Sequence, residues 1–132
     1  MKRSASTLLA FALAVGSAAA IGADQHSTHS VHFARGTSAS TISGSLHGYD
    51  TVNYTLGASA GQTMTVSISG TPDVYFNVIA PGEQYAMEGV NNLQAWTGRL
   101  PATGTYRVEL FQPRAQARRG NTPHYTVHFQ IH

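Results

Sequence analysis

The chain reads as an all-β protein, an antiparallel β-sandwich of roughly eight strands, and three features of the sequence predict it. Apolar and polar residues alternate through most of the chain, with β-branched and aromatic residues on the apolar beat. Turn-forming clusters separate these runs: Gly57-Ala58-Ser59-Ala60-Gly61, Gly70-Thr71-Pro72-Asp73, Pro81-Gly82 and Pro101-Ala102-Thr103-Gly104. After the leader, helical periodicity is confined to one short stretch, Pro113 to Arg119. Short strands at regular spacing suit an antiparallel sandwich or barrel, and we take the sandwich.

The elements follow in order. Lys2 and Arg3, then the apolar run Leu8 to Val15, then small residues ending in Ala18-Ala19-Ala20, have the order of a secretory signal. The expected signal is residues 1–23, with cleavage after Ala20 or, as second choice, after Ala23. Its apolar run is far short of the roughly 20 residues that span a bilayer. A lipid anchor needs a cysteine, and the chain has none. The product is therefore expected to be exported and soluble. Residues 24–30 are expected to form a flexible polar tail, and residues 31–132 a single β-sandwich domain.

Within that domain Val52, Tyr54 and Leu56 share one parity, as do Met64, Val66 and Ile68, and Val74, Phe76 and Val78. Tyr106, Val108 and Leu110 repeat the pattern, followed by Tyr125, Val127, Phe129 and Ile131. Each run predicts a strand with one buried face. Leu93 to Gly98 reads as a polar strand, and Val31 to Ala34 and Thr41 to Leu46 read as two additional weaker ones. Between the last two long strands lies Pro113 to Pro123, longer than a hairpin needs. Proline at its start, alanines within and Gly120 at its end predict one or two helical turns, with Arg114 and Arg118 on one side.

Charge and cysteine content narrow the function. The full chain has eight basic and six acidic residues. Lys2 and Arg3 leave with the signal, so six arginines face six carboxylates and the formal net charge is zero. General nucleic-acid binding thereby loses its electrostatic support. Half of those arginines are Arg114, Arg118 and Arg119. With no cysteine, packing alone must hold the domain, which at about 110 residues is large enough for a core.

Three constellations carry possible chemistry. Guanidinium groups pair bidentately with carboxylates, so two on one side of a protruding loop suit an acidic cleft; the alternative is a solvated loop. His26, His29 and His32 lie three apart in the tail and suit weak zinc or copper binding. His124, His128 and His132 face outward along a strand, spread over too great a length for one metal, since a four-residue step spans about 13 Å. Catalysis finds little support: no carboxylate pair of the glycosidase kind is evident, and Gly57-Ala58-Ser59-Ala60-Gly61, although it has the Gly-x-Ser-x-Gly spacing, reads as a turn between two strands and not as the strand-to-helix elbow of a nucleophile. No cofactor is called for. Tyr54, Phe76, Tyr106, Tyr125 and Phe129 fall on buried parities. Trp96 reads first as core and second as a sugar-stacking platform, and Tyr49 lies where a strand emerges from a turn.

These residues also resemble a family. Gly44-Ser45-Leu46-His47-Gly48-Tyr49-Asp50, Val52-Asn53-Tyr54, Ala60-Gly61-Gln62-Thr63, Tyr75-Phe76-Asn77-Val78, Gly98-Arg99-Leu100-Pro101, Gly104-Thr105-Tyr106, Arg114-Ala115-Gln116-Ala117-Arg118-Arg119 and Tyr125-Thr126 are similar to the periplasmic inhibitors of g-type lysozyme. The order holds from about Phe33 to Ile131. Part of it is the strand-and-turn grammar of many secreted sandwich modules, and the arginine-rich loop is the specific part. The resemblance implies a soluble periplasmic β-sandwich that is no enzyme and whose loops plug a lysozyme's substrate cleft. It implies partner contacts at Tyr49, Arg114 and Arg118, with Arg119 beside them; from the residues themselves no functional metal site, no membrane anchor and no nucleic-acid partner are expected. Two alternatives stand beside it. One is a non-catalytic carbohydrate- or peptidoglycan-binding module resting on Trp96 and Tyr49. The other is metal buffering through the histidine tail.

Overall fold

A computed structural model describes residues 24–132; the expected signal at 1–23 lies outside the described residues. Eight strands form: β1 (His26–Ser30), β2 (Ala39–Ser45), β3 (Thr51–Ala58), β4 (Thr63–Ser69), β5 (Tyr75–Ile79), β6 (Ala95–Arg99), β7 (Gly104–Phe111) and β8 (His124–Ile131). A single helical turn, α1 (Arg114–Ala117), lies between β7 and β8. The strands make two four-stranded sheets, ordered β1-β3-β7-β5 and β2-β8-β4-β6. All pairings are antiparallel except β1 with β3, which is parallel.

The alternating residues meet between the sheets. Tyr54 and Leu56 of β3, Phe76 of β5 and Tyr106, Val108 and Leu110 of β7 close one side of the core. Met64 and Val66 of β4 and Tyr125, Val127 and Phe129 of β8 close the other. Side chains of this size each contribute roughly 1.5–3 kcal/mol when fully buried, which replaces the stabilisation that disulfides would have supplied.

One polar contact crosses this apolar layer. The hydroxyls of Tyr54 and Tyr125 lie 2.7 Å apart, joining β3 of one sheet to β8 of the other. Burial raises both phenol pKa values above 10, and at Tyr125 the bond to Tyr54 adds to the rise. Gly44 of β2 is needed beside this pair. A Cβ at that position would stand 2.6 Å from the Tyr125 hydroxyl oxygen. At the end of the sandwich where β3 turns into β4, the Tyr106 hydroxyl donates to the Ala102 carbonyl at 2.7 Å and accepts from its amide at 3.0 Å, bracing the turn into β7.

Three local expectations are corrected. The segment read as a flexible tail contains β1. Asp50 Oδ1 accepts from the Gln25 amide at 2.7 Å, Thr51 N donates to Gln25 O at 2.9 Å, and the ladder continues to Val31 N, which donates to Thr55 O at 2.9 Å. Backbone pairing at a sheet edge fixes a stretch that has no apolar alternation. The expected weak strand at Val31 to Ala34 is irregular instead, although Val31 and Phe33 still pack against the core. The polar strand read from Leu93 forms as β6 from Ala95, while Leu93 makes an isolated bridge to Phe76.

Candidate functional site

Strands β2 and β8 pair with Ser45 opposite His124, and their register continues beyond the assigned strands. Leu46 N donates to Pro123 O at 3.2 Å, and Gly48 N donates to Asn121 O at 3.0 Å. His47 therefore stands opposite Thr122, and their side chains meet, Nδ1 to Oγ1, at 2.7 Å. The extended ladder delivers the Gly48-Tyr49 turn onto the segment that follows α1. Gly48 takes φ +53°, which favours glycine, and it lies against the Ala117 carbonyl, where an added Cβ would make ordinary contact at 3.6 Å.

The arginine segment forms the other half. Pro113 ends β7, since it has no N–H to give the ladder. Ala117 N donates to Pro113 O and Arg118 N to Arg114 O, both at 2.9 Å, which makes one α-turn. Gly120, at φ +73°, donates its N–H to Ala117 O and terminates it. Ala117 is buried and anchors the turn, whereas Arg114, Arg118 and Arg119 are exposed. Arg114 and Arg118, four residues apart, project from neighbouring positions.

Gln112 joins the two halves from below. Its side chain is buried, and its Nε2 donates to both Gly48 O and Asn121 O at 3.1 Å. The sequence offered no signal for this residue, because a lone glutamine before a proline has no periodic or motif signature. Tyr49 stands at the crest, 48% exposed, which makes it one of two strongly exposed large apolar side chains among the described residues.

Electrostatically the ridge is unbalanced. None of Arg114, Arg118 and Arg119 has an ion-pair partner among the described residues. Asp50, adjacent to Tyr49, is engaged by the Gln25 amide, and Glu109 by Arg107 and Asn77. Three guanidinium groups without an ion-pair partner among the described residues thus lie on the segment that meets the Tyr49 turn. Such a surface can receive carboxylates and stack on sugars or apolar rings.

The residues behind the alternative readings do not assemble in this way. Trp96 is half-buried at the core margin, its indole folded over Gly98, and it lines an open groove of about 630 Å³ with Tyr85, Met87 and Arg99. That groove lies at the end of the strands away from Tyr49, so the two aromatics cannot form one platform. His26 and His29 fall on opposite faces of β1. His26 bonds Thr51 Oγ1 at 2.7 Å, while the His29 ring lies 5.8 Å from that of Tyr54.

Comparison with known proteins resolves the family. No protein-family model matches the chain. The inhibitor of g-type lysozyme from Escherichia coli strain K12 is 36% identical over 109 residues, which cover 76% of this chain and 78% of that protein. The chain belongs to the family of g-type lysozyme inhibitors. Solved members share its fold. The crystal structure of the periplasmic inhibitor PliG from Aeromonas hydrophila has a TM-score of 0.77 at 43% identity, covering 83% of this chain and all of that one. The Salmonella Typhimurium member has a TM-score of 0.66 at 31% identity, covering 80% of this chain and 98% of that one. A mutant of the Escherichia coli member gives 0.65 at 31%, covering 82% and 99%.

Proposed function

We propose that this protein inhibits g-type lysozyme in the periplasm, inserting the ridge of Tyr49, Arg114, Arg118 and Arg119 into the enzyme's peptidoglycan-binding cleft. It is an inhibitor, not an enzyme, as its relatives are. The observation that supports this use of the ridge is the joining of the Tyr49 turn to an arginine turn whose three guanidinium groups have no ion-pair partner among the described residues.

The physical logic is complementary charge and shape. A cleft that cleaves glycosidic bonds commonly carries carboxylates. Arg114 and Arg118 pair with such groups bidentately, and Tyr49 occupies a saccharide subsite by stacking. Because the arginines have no ion-pair partner among the described residues, binding breaks no ion pair of that part of the chain. Substrate is then excluded by occupancy, with no bond made or broken. The test is lysis of a peptidoglycan suspension by g-type lysozyme while the purified mature protein is titrated in. Stoichiometric inhibition supports the reading, and undiminished lysis at excess protein overturns it.

A further inference from the structure

We propose that Gln112 is the positioning residue of the inhibitory ridge: its buried amide holds the Tyr49 turn and the arginine segment in one arrangement. The inference rests on the inhibitory reading of the ridge.

Both amide hydrogens of Gln112 are used, one on a carbonyl from each half: Gly48 O and Asn121 O, each at 3.1 Å. These partners lie 64 residues before and 9 residues after it in sequence. Around this point the ladder between the two halves is thin. It consists of Leu46 N to Pro123 O, Gly48 N to Asn121 O, and the His47–Thr122 side-chain contact. Pro123 has no N–H, so the return bond that an antiparallel pair normally makes is absent there. Gln112 supplies two interior bonds beside this thin stretch of ladder.

The chemistry of the side chain suits this task. An amide –NH₂ donates twice from one atom, in a plane, and no apolar residue of similar length can replace it. Its Oε1 is buried with no hydrogen-bond partner among the described residues, a cost that remains in place while the –NH₂ group is held between the two carbonyls. Gln112 itself is only 5% exposed and so is not offered to a partner protein. Its effect on binding must pass through Tyr49 and the arginines.

A positioning role has a kinetic signature. When the competent arrangement is only partly populated, apparent affinity falls by that fraction. Association slows, and dissociation of the formed complex stays nearly constant. Loss of a direct contact shows mainly in dissociation instead.

The test uses Gln112→Met, of similar length and without donors, compared with wild type in lysozyme binding kinetics and in amide hydrogen exchange at Gly48. The expected result is faster exchange at Gly48 and an association rate lowered by about tenfold, with dissociation changed by less than about threefold. Rescue separates positioning from general weakening. His47 and Thr122 face each other at a closely spaced, non-hydrogen-bonded position of the extended ladder, which suits a disulfide. The chain has no cysteine of its own, so His47→Cys with Thr122→Cys gives one defined bridge. In the Gln112→Met background the oxidised bridge should restore the association rate, and reduction should remove the gain. Should Gln112→Met fail to fold, Thr122→Val weakens the same junction from the surface and should show the same kinetic pattern to a smaller degree. Unchanged Gly48 exchange, a change confined to dissociation, or no rescue by the oxidised bridge overturns the proposal. A wild-type protein that does not inhibit overturns the inhibitory reading, and with it the role in binding, while Gly48 exchange still reports separately whether Gln112 holds the two halves together.

Discussion

Replacing Arg114 and Arg118 by alanine separates partner binding from folding. Both side chains are exposed and neither has an ion-pair partner among the described residues, so no salt bridge seen in the free protein is lost. Alanine is the best helix former, and Ala117 and Gly120 still define the turn. Stability should therefore change by no more than about 0.5 kcal/mol. Binding should respond very differently. A charged side chain paired inside a closed interface typically costs about 2 kcal/mol or more on truncation. At about 1.4 kcal/mol per factor of ten, each single substitution should weaken inhibition roughly 30-fold. Residues four apart on one turn share a partner surface, so additivity should fail. The double variant should lie between roughly 30-fold and 1,000-fold weaker. The assay is an inhibition titration against g-type lysozyme with thermal unfolding of the same samples. Full inhibition by a normally folded double variant would refute the assignment of these arginines to the interface.

Three further predictions concern the core that carries the ridge. Tyr54→Phe or Tyr125→Phe leaves one buried hydroxyl unpaired and should cost about 1–3 kcal/mol, while the double variant should cost less than the sum; chemical denaturation of all three checks this. Both phenol pKa values are raised in the folded state, so their contribution is complete below the unfolded phenol value near pH 10 and is lost as pH rises above it. A denaturation series across that range should show a steeper alkaline loss of stability in wild type than in the double variant. Gly44→Ala places a methyl group 2.6 Å from the Tyr125 hydroxyl oxygen, which the Tyr54 bond holds in place. It should destabilise by about 1–3 kcal/mol, read from the same denaturation curves, and less in a Tyr125→Phe background.

Much of this fold was legible because its two-residue period is strong. The parities of Tyr54, Phe76, Tyr106 and Phe129 alone place the core. The helical turn was legible from Pro113 and Gly120, whose backbone restrictions act locally. Where geometry depends on distant backbone, the sequence was silent. Strand β1 is polar and held by a parallel ladder and the Asp50 carboxylate, so nothing in Gln25 to Ser30 announces it. Val31 and Phe33 alternate like a strand yet only lean on the core, because burial requires an apolar face but no ladder. At the ridge, Tyr49 and the arginines were visible through side-chain chemistry and the family resemblance. Their adjacency and the Gln112 clamp were not, since both arise from bonds between segments far apart in the chain.

The most direct test of the account is titration of the mature protein against g-type lysozyme acting on a peptidoglycan suspension, with c-type and i-type enzymes alongside. Stoichiometric inhibition of the g-type enzyme, and none of the other two, is the expected result. Continued lysis by the g-type enzyme in the presence of excess folded protein would contradict it.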